Sequence, residues 1–373
     1  MSNLFSPEEY CRKLGREPLS EEATRIFLTA RDSGELTHPI PTDAIPFFFP
    51  ELIPEVTAAA DVISADPLAL CYYNFLRVVY VDHAELRDEI FLDPAEGDVM
   101  RNFAPALMLM TLSIPTQTRM FQRGIPEETR RRVALLHQAS MKLHRTNFGF
   151  PAINRMVASW SHLYLTPSIF PIGSLEFEIL HLYGEGTFFA QKETGEAIFL
   201  QNVEESEEAF TGNTTLRGGA PGEILSLPKA NYDKILSPGD AVLSVHIPRK
   251  AKIDPATCRE NYIAAVKFFR TYYPEHKFRA FYCRSWLMDP YLKELLPAGA
   301  NIPSFQSFFT RFPVRSTGRE VFSFVHPQPF ESFEELPEGT SLERQIKRTY
   351  LEDAPIYVHA GFHLLDDTTE EGF

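Results

Sequence analysis

What this 373-residue sequence lacks narrows its function first. Its four cysteines, Cys11, Cys71, Cys258 and Cys283, are scattered, with no CxxC pair or knuckle spacing, so they read as free thiols. The 11 histidines include no HxH or HExxH, and Gly361 between His359 and His363 argues against a helix there, so no metal is expected. No G-x-S-x-G elbow and no P-loop is present, which removes the common hydrolase and nucleotide-binding signatures. Basic tracts are missing too. With 36 Lys and Arg against 50 Asp and Glu the formal charge is −14, and no nucleic-acid partner is expected. The densest run, Arg130-Arg131-Arg132, sits among helix formers and reads as a solvated helix face. No window approaches the ~18 apolar residues of a membrane span. The opening MSNLFSPEEY has neither a basic nor an apolar leader region. The expectation is a cytoplasmic protein with no membrane partner and no internal repeat.

What is present is ordinary in amount and unusual in kind. Hydrophobic residues make up 44% and charged residues 23%, the balance of a folded globular chain, and the length favours two domains. The 31 Phe and 29 Pro point to aromatic cores joined by proline-stiffened turns and helix starts. Ser6-Pro7-Glu8-Glu9 has the cap, the first-turn proline and the acidic residue of a helix start. Apolar residues at three- and four-residue steps predict further helices near 20–33, 66–90, 100–122 and 126–146. From residue 172 the period changes: Leu175, Phe177 and Ile179 alternate with Ser174, Glu176 and Glu178, as on a half-buried strand. Further strands are expected over Glu196–Asn202, Ala241–Ile247, Phe278–Leu287 and Glu320–His326. Between the second and third of these an amphipathic helix opens at Asp254-Pro255, a crossover that predicts adjacent parallel strands. The fold expected is therefore a helical domain over 1–167 followed by a mixed α/β domain with a central sheet over 168–373.

Six segments carry a resemblance. They are RGIPEE (Arg123–Glu128), IGSLEFEI (Ile172–Ile179), PGDAVLSVHIP (Pro238–Pro248), FYCRSWLMDPYLKELL (Phe281–Leu296), ANIPSFQSFF (Ala300–Phe309) and LPEGTSLERQIKRTYL (Leu336–Leu351). In this order they resemble a bacterial family with a helical N-acyltransferase-type first domain and a GNAT-like second domain. The resemblance implies transfer of an acyl group from acyl-CoA or acetyl-CoA, as co-substrate, to a small-molecule amine acceptor. It also implies that the donor lies where two parallel central strands splay apart, the VLSVHIP and RAFYCRSW segments being that pair. The glycine-rich phosphate loop of GNAT enzymes, Q/R-x-x-G-x-G/A, is absent: Arg249-Lys250-Ala251-Lys252-Ile253-Asp254-Pro255 follows the first strand instead.

Several residues are candidates for chemistry. Arg249, Lys250, Lys252 and the helix start at Asp254–Thr257 could hold an anion, although a solvated turn is an equal alternative and the Asp254 carboxylate would repel phosphate. His246 ends its strand and could deprotonate an attacking ammonium, although histidines satisfied by backbone are commoner. Glu178, with Glu176 on the same strand face, could bind a cationic amine or act as the base, although such pairs more often face solvent. Cys283 could be a nucleophile or an acid for the departing thiolate, although a buried inert cysteine is the commoner case. The resemblance implies that Tyr291, by position, would lie where many GNAT enzymes keep a tyrosine that protonates that thiolate. The rival reading is a non-catalytic module on a degenerate acyltransferase fold that binds a small ligand or a protein.

Overall fold

The computed structural model describes residues 5–365 apart from Glu185 and Ala298. The chain divides at the Phe170–Pro171 bond into two compact units. The first is helical: α1 Pro7–Leu14, α2 Glu21–Asp32, α3 Ile45–Phe48, α4 Ile53–Ala65, α5 Pro67–Asp82, α6 Arg87–Ile90, α7 Val99–Gln122, α8 Glu127–Ala134, α9 Leu136–Phe148 and α10 Arg155–Leu165. The starts are chemically marked. Ser6 Oγ accepts the Glu9 amide at 3.2 Å ahead of Pro7, and Asp98 Oδ1 accepts the Arg101 amide at 2.9 Å. Gly15, at φ 63°, closes α1 in the left-handed conformation. In α7 the run Ala104–Met110 is buried on every side, which makes this the central helix of the unit, and in the same core Tyr10, Phe27 and Phe75 pack tilted or edge to face, with ring centroids 4.8–5.9 Å apart.

The second unit carries eleven strands among its described residues: β1 Ile169–Ile172, which begins at the junction, β2 Leu175–His181, β3 Thr187–Gln191, β4 Ala197–Glu205, β5 Ala209–Thr215, β6 Pro221–Pro228, β7 Tyr232–Leu236, β8 Ala241–His246, β9 Ala280–Ser285, β10 Thr310–Pro313 and β11 His359–Leu364. Its described α-helices are α11 Pro255–Tyr272, α12 Leu292–Leu295, α13 Asn301–Ser307, α14 Phe322–Val325 and α15 Ser341–Leu351. Strands form a six-stranded sheet, β1-β2-β8-β9-β11-β10, and a five-stranded sheet, β6-β5-β4-β3-β7. β8 and β9 run parallel and are joined by α11, as the capped crossover predicts.

The faces of the first sheet follow from register. Val242, Ala280, Tyr282, Ala360 and Phe362 share one face and pack with Phe188, Leu236 and Phe312. On the other face Phe177 and Phe281 meet Tyr262 of α11, with ring centroids 6.2 and 4.9 Å away. The stretch Glu320–His326, read as a strand, is helical instead over Phe322–Val325. Glu320 folds back to accept Ser316 Oγ and the Thr317 amide at 2.9 and 2.8 Å, which fixes a turn, and Phe322 then packs on Phe330, Phe333 and Tyr350. Short apolar runs cannot be assigned by period alone.

Candidate active site at the split of two parallel strands

The parallel ladder between β8 and β9 pairs Val242 with Ala280, Leu243 with Phe281 and Ser244 with Tyr282, and among the described residues it goes no further. β8 nevertheless stays paired with β2 through His246, and β9 with β11 through Ser285. The two strands therefore part at their C-terminal ends while each keeps its outer neighbour. Open sheets bind ligands at such ends.

His246 and Glu178 lie on one lip of this split. Glu176 is directly opposite His246 across the β2–β8 ladder, and Glu178 is opposite Ser244, so His246 and Glu178 are diagonal neighbours on one face. Glu178 Oε2 is 2.8 Å from His246 Nε2. The imidazole is 22% exposed and the carboxylate 12%, so the pair is sheltered yet reachable. Glu176 is buried on the same face.

Cys283 is on the opposite face, because it follows Tyr282, which shares a face with Ser244. Its thiol is fully buried, and burial pushes its pKa up to about 12. A thiol in that state is neither nucleophile nor ready acid at neutral pH. The structure does not bring it together with His246.

Arg249, Lys250 and Lys252 are exposed in the turn after β8, Lys250 with φ 67°. The turn is tied down by Ser174 Oγ, which donates to the Lys252 carbonyl at 2.6 Å and accepts from Asn261 Nδ2 at 2.9 Å. Gly173 is needed beside it: its φ is +61°, and a Cβ there would lie 1.7 Å from Asn261 Oδ1. Asp254 caps α11, its Oδ1 accepting the Thr257 amide at 3.0 Å, and that bond first of all holds its carboxyl below the usual range. The helix N-terminus is thus occupied by the chain's own anion.

Tyr291 stands in the turn that starts α12, not inside a helix. Its amide donates to Asp289 Oδ1 at 3.0 Å, and the Arg217 guanidinium lies 5.4 Å from its ring centroid. Asp289, Arg217, Gln306 and Arg311, which build this corner, were not foreseen. The Gly218-Gly219 pair that turns the β5–β6 hairpin at Arg217 was their one signal in the sequence. In the first unit a separate cleft of about 440 Å³, lined by Phe47, Phe48, Ile114 and Gln117 among others, contains none of the predicted residues.

Residues 169–363, 195 of the 373, match the family described as GNAT-like C-terminal domain, and the chain belongs to that family. Three solved structures share the fold over 97% of this chain and 100% of theirs. One is an acyltransferase mutant in complex with octanoyl-CoA, at 20% identity and TM-score 0.66. Another is an acyltransferase in complex with decanoyl-CoA and teicoplanin, at 19% and 0.65, and the third is an acyltransferase in complex with CoA and 10C-teicoplanin, at 19% and 0.66. No curated protein matches. Among the described residues no group of His, Cys, Asp and Glu is placed to hold a metal ion, and no helix is long and apolar enough to cross a membrane.

Proposed function

We propose that this protein transfers an acyl group from an acyl-CoA thioester to the amine of a small molecule, by direct attack. The observation that carries the reading is the Glu178–His246 pair, 2.8 Å apart at the open end of two parallel strands. The fold's likeness to acyltransferases solved with octanoyl-CoA, decanoyl-CoA and teicoplanin supports it. An acyl-CoA co-substrate fits a bacterial cytoplasm.

The acceptor arrives as an ammonium and must lose a proton before it can attack. The His246 ring, held by its Nε2 contact with the Glu178 carboxylate, is the base that takes this proton. The amine lone pair then attacks the thioester carbonyl carbon, the C–N bond forms and the C–S bond breaks. The departing thiolate takes up a proton, with Tyr291 the candidate donor, and the second proton that the attacking nitrogen sheds as the amide forms passes through solvent to restore that donor. The products are an amide and the CoA thiol, and one proton passes from the pair to water. Cys283 takes no part, and Arg249, Lys250, Lys252 and Thr257 are at most peripheral to the donor.

The test uses the full chain with octanoyl-CoA or decanoyl-CoA and a panel of amines, following free thiol with a colorimetric reagent. Amine-dependent thiol release is expected. Acyl-CoA should also raise the melting temperature, since a ligand at a hundredfold excess over its Kd stabilises the native state by about 2.7 kcal/mol. Neither release nor a shift at millimolar thioester would leave a non-catalytic binding module as the better account.

A further inference from the structure

We propose that Arg217 and Arg311, gathered about the buried Asp289 at the edge where β9 ends, form a binding site for a phosphate group. That CoA is the source of the phosphate rests on the acyl-CoA reading above. The need for such a site comes from the other lip: the loop after β8 has no glycine, and Asp254 fills the N-terminus of α11 with a carboxylate. In a chain of formal charge −14, a polyanionic ligand needs a local island of positive charge.

The corner around Asp289 is such an island. Asp289 is 1% exposed and already has three donors: Arg217 Nη2 at 3.1 Å, the Tyr291 amide at 3.0 Å and the Tyr357 amide at 2.8 Å. Arg217 is held between the rings of Tyr291 and Tyr357, at 5.4 and 5.0 Å from their centroids, with its side chain 45% exposed. Asp289 is therefore satisfied without Arg311.

Arg311 has a neutral partner. Its Nη1 donates at 2.8 Å to Gln306 Oε1, an amide fixed because Gln306 Nε2 donates to the carbonyls of Leu287 and Asp289 at 2.7 and 2.9 Å. Gln306 is 1% exposed, so this is a rigid mount. Among the described residues no carboxylate lies within ion-pair distance of Arg311, and burial pulls its pKa down, with Asp289 acting weakly the other way. A half-buried cation bonded to a neutral group gains from an incoming anion. His359 lies close enough to feel Asp289, Arg217 and Arg311, and burial favours its neutral form, so it does not cancel the excess. Arg315 and Arg319 are exposed on the neighbouring segment, where Glu320 is the facing carboxylate. The Arg319 guanidinium is turned to the Phe322, Phe330 and Phe333 rings, 5.6–5.9 Å from their centroids, so the corner itself sets Arg217 and Arg311 against Asp289, which leaves one positive charge over.

The experiment measures CoA binding calorimetrically to the full chain and to Arg311→Gln, Arg311→Lys and Arg217→Gln, with 3′-dephospho-CoA and inorganic phosphate as separate arms. Melting temperatures check that each variant is folded. Loss of one charge-assisted contact should weaken CoA about tenfold or more in Arg311→Gln, with most of the affinity kept in Arg311→Lys. If the wild type binds 3′-dephospho-CoA as weakly as Arg311→Gln binds CoA, the 3′-phosphate is the occupant. If it binds both alike while Arg311→Gln loses affinity for both, the pyrophosphate is. Phosphate binding that Arg311→Gln abolishes, in a chain that ignores CoA, would uphold the site and sink the acyl-CoA reading. Folded Arg311→Gln and Arg217→Gln that bind CoA and phosphate as the wild type does would overturn the proposal.

Discussion

His137 in the helical unit and His246 in the mixed unit each sit one hydrogen bond from a side-chain oxygen, and they are held for opposite ends. His137 Nε2 is 3.0 Å from Ser113 Oγ, but that hydroxyl spends its proton on the Leu109 carbonyl at 2.7 Å, so the ring must donate. The ring is 2% exposed, and burial lowers its pKa to about 4. It is a neutral strut. His246 faces a carboxylate and water, at the place where two strands part. A serine–histidine contact looks like catalytic machinery, but this one is buried and neutral, whereas the glutamate–histidine contact joins a carboxylate to a ring that solvent reaches, as the proposed chemistry requires.

The largest expected effect breaks the comparison if it fails. His246→Gln should lower turnover by roughly 10²–10⁴-fold, the usual worth of a general base, with the melting temperature within a few degrees of wild type. His137→Gln should leave turnover per folded molecule nearly unchanged. Comparable losses in both variants, measured by thiol release, would mean that the two histidines are not different in kind.

The next effect belongs to His137 and to pH. The folded ring binds a proton only near pH 4 and the unfolded ring near 6.5, so between these values the unfolded state holds more protons. Its contribution to stability is complete above 6.5, falls as pH drops toward 4, and is flat below. A shift of this size corresponds to about 3 kcal/mol. Denaturant titrations of wild type and His137→Gln across that window should differ in slope by this group alone, and parallel curves would show that the ring is not buried neutral.

The Glu178–His246 pair and the corner of Arg217, Asp289 and Arg311 were unequally legible in the sequence, for a physical reason. Central strands read clearly: β2 alternates Leu175, Phe177 and Ile179 with Glu176 and Glu178 in sequence, and β8, buried on both faces from Val242 to Val245, stands out as an apolar run, and with them came Glu178 and His246. The five-stranded sheet buries little. One of its small cores is Phe189, Leu200, Phe210 and Leu227, one residue from each of four strands, too sparse to leave a period in β5, β6 or β7. Arg217, carried by the hairpin between β5 and β6, was hidden for that reason, and Asp289 and Arg311 acquire their meaning only beside it. The face of Cys283 depended on register, which the sequence did not contain.

A smaller effect tests that hairpin. Gly219 has φ +90°, and a Cβ there would lie 2.3 Å from the Arg315 Cα and backbone N. Left-handed backbone strain alone costs of order 1–3 kcal/mol, so Gly219→Ala should destabilise by about 2 kcal/mol and loosen Arg217 from Asp289. A fully stable variant in a denaturant titration would show that the hairpin is not packed there.

The smallest effect compares the starts of two helices, one in each unit. Asp98 caps α7 and Asp254 caps α11 with the same bond, carboxylate oxygen to the amide three residues on, at 2.9 and 3.0 Å. Asparagine caps about as well as aspartate, so Asp98→Asn and Asp254→Asn should each change stability by less than roughly 0.5 kcal/mol. Only Asp254 lies where the family's phosphate loop would be, and removing its charge removes a repulsion that a phosphate would feel there. If phosphate is held at Arg217 and Arg311 instead, CoA affinity should stay within about twofold of wild type in both variants, since neither cap then touches the phosphate and a charge without contact is weakened further by salt. A severalfold gain in Asp254→Asn alone, seen calorimetrically, would seat the phosphate at the start of α11 and make the two helix ends as different in purpose as the two histidines.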